Sequence, residues 1–217
     1  SDKSFQMQDQ KTNELKKQFE SGMEESNRDN WIFVNHDIYG TRNSNQTQID
    51  QSNVGDLKVK WRLNNTYEIQ DPPIIVNNSG YFQDYIGNII AFDTLTGNIK
   101  WKLNLDGGPT MGLYFSDGII YATIGTKAKI ISIDSTNGEQ LWESPILGDT
   151  SLGYAITSPP LIWKDYVIAG SGGSGLPPGK GFVKGNITAV NKTDGSLLWN
   201  IETTTGEWIE KGKNPPN

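Results

Sequence analysis

An all-β fold, a β-propeller of four-stranded antiparallel blades, is predicted by three observations. One pattern occurs three times: Ala91-Phe92-Asp93-Thr94-Leu95-Thr96-Gly97-Asn98-Ile99-Lys100-Trp101, then Ser132 through Asp134 and Gly138 to Trp142, then Ala189 through Asn191 and Gly195 to Trp199. The spacing fits a blade: 41 residues separate Trp101 from Trp142 and 57 separate Trp142 from Trp199, the second stretched by a Gly/Pro-rich insertion. A repeat of about 40–45 residues with several short strands in each unit is the propeller signature. Each copy also runs from alternating apolar residues through Asp or Asn and Gly into an apolar pair ending in Trp, which reads as strand, turn, strand.

Residues 1–28 come first and differ from the rest, being rich in Gln, Lys and Glu. Leu15, Phe19 and Met23 form an i, i+4, i+8 stripe that predicts a short amphipathic helix, with Thr12 as its cap. The reading is therefore a polar helical arm over 1–28 and propeller repeats over 29–217. From Trp31 to Asp56 the chain is irregular and Asn-rich, as a segment wrapping a domain would be. Leu57-Lys58-Val59-Lys60-Trp61 lies one period upstream of Trp101 and reads as the outermost strand of a partial blade.

Three complete blades follow. The first takes Ile74–Val76, Tyr81–Gln83, Ile89–Phe92 and Ile99–Trp101; the second Leu113–Phe115, Ile119–Ala122, Lys129–Ile133 and Gln140–Trp142. The third takes Leu161–Trp163, Tyr166–Ala169, Ile187–Val190 and Leu197–Trp199. Their first turns are predicted at Asn78-Ser79-Gly80, Ser116-Asp117-Gly118 and Lys164-Asp165, short hairpin signals. Asp93, Asp134 and Asp194 lie in the repeated turns and serve the turn, while Trp101, Trp142 and Trp199 fill the gaps between sheets.

Composition narrows function. A net charge of −6 without a basic run argues against a nucleic-acid partner. No apolar stretch is long enough to span a membrane as a helix. Cysteine is absent, so disulfides and thiolate sites are excluded, and a single His36 makes neither a His metal cluster nor a Ser-His-Asp triad. The run Gly170–Gly181 lacks the Gly-Lys-Ser/Thr ending of a phosphate loop. Asn45, Asn64, Asn77, Asn186 and Asn191 head Asn-x-Ser/Thr sequons, which an extracellular or periplasmic protein would leave open to N-glycosylation.

Trp31-Ile32-Phe33-Val34-Asn35-His36-Asp37-Ile38-Tyr39-Gly40-Thr41-Arg42-Asn43-Ser44, with Gln48-Ile49, Asn53-Val54, Leu57 and Lys60-Trp61, resembles the start of pyrroloquinoline quinone (PQQ) dependent alcohol dehydrogenases. The three Trp repeats, and Pro159-Pro160-Leu161 through Gly172-Gly173-Ser174 to Ala189, are similar to later parts of the same family. The resemblance covers about residues 29–208 and implies the N-terminal portion of an exported eight-bladed propeller. That fold would hold PQQ and Ca²⁺ at the mouth of its channel, with the cofactor supplying the redox chemistry. It implies cofactor-binding roles for Gln70, where the family carries a carboxylate, for Thr157 or Ser158, and for Gly172, Gly173 and Ser174.

Other matches depart from the family. The cysteine pair aligns with Gly107-Gly108, an expected Arg with Met111, and the metal-binding Glu with Gly175. No catalytic or metal-binding residue is carried over, and no cofactor is expected for this chain alone, with PQQ and calcium belonging to a complete dehydrogenase. Two functions stay open: a binding or scaffold module with a degenerate cofactor site, or the N-terminal part of an active alcohol dehydrogenase. The expected partners are the remaining propeller blades or another protein chain. The closing stretch Glu207–Asn217 resembles the loop into a next blade, so truncation is the expectation over closure at four blades.

Overall fold

A computed structural model describes residues 30–37, 39–44, 47–64, 67–108, 112–173 and 184–203. The predicted arm over 1–28 lies outside the described residues. Two compact units are distinguished, one holding 1–30 and 43–57 and the other 31–42 and 58–217.

In the smaller unit, local side chains hold the backbone. Asp50 Oδ1 accepts from Ser52 N–H at 2.7 Å, and Asn53 Oδ1 accepts from Asp50 N–H at 2.9 Å. This knot opens a short 3-10 turn at Val54–Asp56. Among the described residues the other helical pieces are similar turns at Gly125–Lys127 and Thr150–Leu152.

The larger unit holds the blades. The first is β1 (Ile74–Val76), β2 (Ser79–Gln83), β3 (Asn88–Asp93) and β4 (Ile99–Asn104), paired antiparallel in that order. The second is β5 (Tyr114–Ser116), β6 (Ile119–Ile124), β7 (Lys129–Asp134) and β8 (Gln140–Glu143). The third takes β10 (Leu161–Trp163), β11 (Tyr166–Gly172), β12 (Asn186–Asn191) and β13 (Leu197–Glu202), with a two-residue β9 (Ala155–Ile156) paired to the far end of β11. The strands predicted for the three complete blades fall inside these elements or within a residue of them, whereas the strand predicted at 57–61 forms no ladder among the described residues; β9 was not foreseen. One turn shifts: Gly80 lies in β2 and not in a turn, because a Cβ there would sit 2.1 Å from the ring of Phe92. The bend is made at Asn77, with φ 53°, matching Asp117 and Lys164 in the other blades.

The repeated turn works the same way in each blade. Asp93 Oδ1 accepts from the backbone N–H groups of Leu95 and Thr96, both at 2.9 Å, and Gly97 closes the turn with φ 75°. Asp134 and Asn191 repeat this bonding to Thr136 and Thr193. The hydrogen bonds hold the Asp93 carboxyl below its usual range, the Thr96 backbone N–H first among them.

These turns receive the tryptophans. Trp61, Trp101 and Trp142 donate their indole N–H to Thr94, Ser135 and Lys192 carbonyls at 3.0, 2.9 and 3.0 Å. Each ring lies flat over the turn glycine, so a Cβ on Gly97, Gly138 or Gly195 would approach it to 2.7, 2.7 or 2.5 Å. A left-handed glycine is thus required twice over, by φ and by the ring above it. Residues 58–64 form no ladder among the described residues, yet Trp61 docks as the outermost strand of a preceding blade would dock it.

Cores lie between blades. Ile74, Val76, Tyr81, Ile89 and Ala91 of the first blade pack with Ile120, Ala122, Ile131 and Ile133 of the second. Tyr121 and Ile130 pack with Val167, Ala169 and Val190 of the third. The wrapping segment crosses the leading strands. Trp31 exchanges two backbone bonds with Ile75, at 2.7 and 2.8 Å, and Ile32 O accepts from Phe115 N–H at 3.1 Å. Asp37 anchors the return of that segment, accepting from the backbone N–H of Tyr39 at 2.9 Å and the hydroxyl of Thr41 at 2.7 Å. Burial raises its carboxyl pKa, but these bonds outweigh burial and the net shift is downward.

Candidate functional site

The segments that lead into β1, β5 and β10 carry related residues: Asp71-Pro72-Pro73, then Gly112-Leu113, then Ser158-Pro159-Pro160. They meet through specific contacts. Asp71 accepts a hydrogen bond from Gly112 N–H, and a Cβ on Gly112, at φ 79°, would come within 2.9 Å of Pro159. Thr123 Oγ1 reaches Ser158 O at 3.4 Å. A half-buried carboxylate thus adds to the contacts between blade one and blade two. Burial pushes the Asp71 carboxyl above its usual range, against the pull of the Gly112 N–H.

The predicted site residues divide into two groups. β9 pairs with β11 in the antiparallel register Ile156 with Ser171 and Ala155 with Gly172, so Thr157 runs on toward Gly170 while Gly172-Gly173 lie at the other end of this short ladder. Thr157 is exposed, Gly172 and Gly173 are half-buried, and a Cβ on Gly172 would meet nothing within 4 Å. Gln70 stands apart from this group: it is exposed and its Nε2 donates to Glu68 Oε1 at 3.1 Å. Ser174, Met111 and Gly175 lie outside the described residues. Gly107 and Gly108, aligned with the family's cysteine pair, are packing glycines, since a Cβ on Gly108 would fall 2.0 Å from Tyr85 O.

This donor set can be tested against the group the resemblance implies. Calcium takes about 6–8 oxygen ligands, usually with several carboxylates. The described lead-in segments supply one carboxylate, Asp71, and the hydroxyls of Thr157 and Ser158. Among the described residues, no three His, Cys, Asp or Glu side chains are grouped to hold a metal ion. The described residues therefore do not fit the ion by themselves. The backbone at Gly172 is open, since a Cβ there would meet nothing within 4 Å, but the register sets Thr157 at the opposite end of the β9 pairing. Asp71 escaped the sequence reading because its burial depends on Gly112, which follows a whole blade later.

No helix among the described residues is long and apolar enough to cross a membrane. The family profile described as outer membrane protein assembly factor BamB matches residues 8–177. A putative dehydrogenase XoxF of Paracoccus denitrificans is 29% identical over 190 residues, covering 80% of this chain and 30% of that protein. The crystal structure of quinohemoprotein alcohol dehydrogenase from Comamonas testosteroni superposes with a TM-score of 0.69 at 25% identity, over 80% of this chain and 27% of that one. Quinohemoprotein alcohol dehydrogenase ADHIIG from Pseudomonas putida gives a TM-score of 0.74 at 24% identity, over 88% and 29%. The chain thus spans less than a third of the length of these relatives. With its blades, its docked tryptophans and these matches in agreement, the chain belongs to the PQQ-repeat β-propeller family and corresponds to the N-terminal portion of its alcohol dehydrogenase members.

Proposed function

We propose that this stretch of chain is a propeller scaffold and binding module whose cofactor site is degenerate. The observation that carries the reading is the position matched to the family carboxylate. Gln70 is neutral, exposed and bonded to Glu68, and the neighbouring carboxylate, Asp71, is spent on Gly112 N–H. The outward face of the third blade supports a partner, either the remaining blades or another protein chain, because its apolar residues are exposed where those of the first blade are covered. An extracellular or periplasmic location agrees with the kinds of relatives found. Among the sequons, Asn77 is exposed at a turn tip, a position open to N-glycosylation.

A second reading is favoured by one observation. The backbone at Gly172 is open, a Cβ there meeting nothing within 4 Å, which leaves room for a flat quinone as the N-terminal part of a PQQ- and calcium-dependent alcohol dehydrogenase would. Both readings are tested by adding PQQ and Ca²⁺ to the purified chain and following alcohol-dependent reduction of a dye acceptor. The expected result is no alcohol-dependent rate; robust reduction would overturn the scaffold reading.

A further inference from the structure

The third blade carries a concavity, formed by the loop that joins blades two and three and the outer half of blade three. Its volume is about 530 Å³, and Ile146, Asp149, Leu152, Tyr154, Asn186 and Asn200 contribute to its wall. That volume lies within the usual range of small-molecule sites, about 300–1,000 Å³. Ile146 and Leu152 are 61% and 53% exposed, so the loop holds apolar surface in water at the rim.

Behind the rim, polar groups lack internal partners. Asn186 Oδ1, Thr188 Oγ1 and Ser171 Oγ are buried without a hydrogen bond. Thr188 is 1% and Ser171 8% exposed. The ladder gathers them: Ser171 faces Asn186 between β11 and β12, and Thr188 faces Asn200 between β12 and β13. Buried polar groups without partners cost free energy, so three on neighbouring register positions ask for an explanation. Asp149, by contrast, is satisfied, accepting from Ser151 N–H at 2.9 Å.

From this arrangement we infer that the concavity binds a neutral saccharide. The wall named above contains two amides, an aromatic ring, two aliphatic side chains and a carboxylate already in use, with no cation to attract an anion. Asn186 Oδ1 needs a donor, and a sugar hydroxyl supplies one; the Asn200 amide serves an adjacent hydroxyl. The C–H face of a pyranose packs on Tyr154, an amphipathic ring suited to a ligand with one apolar face. The inference stands apart from the cofactor reading, since Gln70 and Thr157 are not in this wall.

The test is calorimetric titration of the full chain with D-glucose, D-galactose, maltose and cellobiose, with D-glucuronate as the charged comparator. At least one neutral probe is expected to bind with a Kd on the order of 1 mM, a typical weak affinity. Glucuronate should bind about tenfold more weakly, and Asn200→Ala and Tyr154→Ala should each weaken the neutral probe about tenfold. Asn200 is exposed, so its variant should keep the parent unfolding midpoint. If Tyr154→Ala disturbs folding, amide shift changes in the parent chain decide: they should fall on 146–154, 186 and 200. Binding of no neutral probe at about 100 mM, two orders above that Kd, would overturn the inference. Affinity undiminished in Asn200→Ala, glucuronate binding as well as the neutral probe, or shift changes elsewhere would overturn it equally.

Discussion

The first and third blades present the same face to opposite fates. Ile74, Val76 and Ile89 on the first blade have register counterparts in Leu161, Trp163 and Ile187 on the third, while the pair Ala91 and Ala189 is buried in both. Ile74, Val76 and Ile89 are 1%, 7% and 0% exposed, but Leu161, Trp163 and Ile187 are 40%, 38% and 45% exposed. The chemistry of the two faces is equivalent, and what differs is the neighbour. Burial in this fold is therefore a property of blade pairs, as nearest-neighbour stability in repeat proteins requires.

The largest effect should come from the docked tryptophans. Trp142→Ala removes a ring seated on Gly195 and a bond to Lys192 O at 3.0 Å. It should cost about 3–5 kcal/mol in urea unfolding. Trp199→Ala, on the face that no described turn covers, should cost about 1 kcal/mol or less, the ordinary surface result. Equal losses would break the comparison.

Next comes a pair of glycines. At Gly138, φ 79° and Trp101 at 2.7 Å oppose a side chain together, whereas Gly118 has φ 80° with nothing within 4 Å. Gly118→Ala should cost about 1–2 kcal/mol from backbone strain alone. Gly138→Ala should cost that plus about 1–3 kcal/mol of overpacking, read as a drop in thermal midpoint. The aliphatic pair sharpens the same point: Ile74→Ala should lose about 2–5 kcal/mol, and Leu161→Ala under about 1 kcal/mol.

The smallest effect is a difference of sign with pH. Asp37 has a lowered folded pKa, so its contribution is present above the unfolded value near 3.8 and is lost as pH falls through the folded value. Asp71 has a raised one, so its contribution is full below about 3.8 and is lost as pH rises through the folded value. Asp37→Asn should lower stability at pH 7, while Asp71→Asn should leave it unchanged or raise it. Acid titrations of unfolding midpoint in the two variants should therefore depart from the parent in opposite directions.

Much of this architecture was legible from residue order. Strand alternation, the Asp-to-Gly turn and the Trp period are local signals, and they located all three blades. The displaced turn near Gly80 was not, because Asn-Asn and Ser-Gly compete as turn formers and Phe92 from another strand decides between them. The site was harder. Gly172 meets the segment ahead of Thr157 only through β9, two residues long and without a pattern. Asp71 owes its burial to Gly112, and the orphaned group at Asn186 is a fact about three strands and a distant loop.

The docking of each tryptophan has a direction, from an earlier blade to the turn of a later one. On a ribosome that order becomes a schedule. Trp61 is synthesised before the turn at Asp93, and Trp101 before the turn at Asp134, so each new turn emerges to find the tryptophan that docks on it already made. Growth of the ring can then proceed from the N-terminus without waiting for closure, and the newest blade is always the one with an open flank.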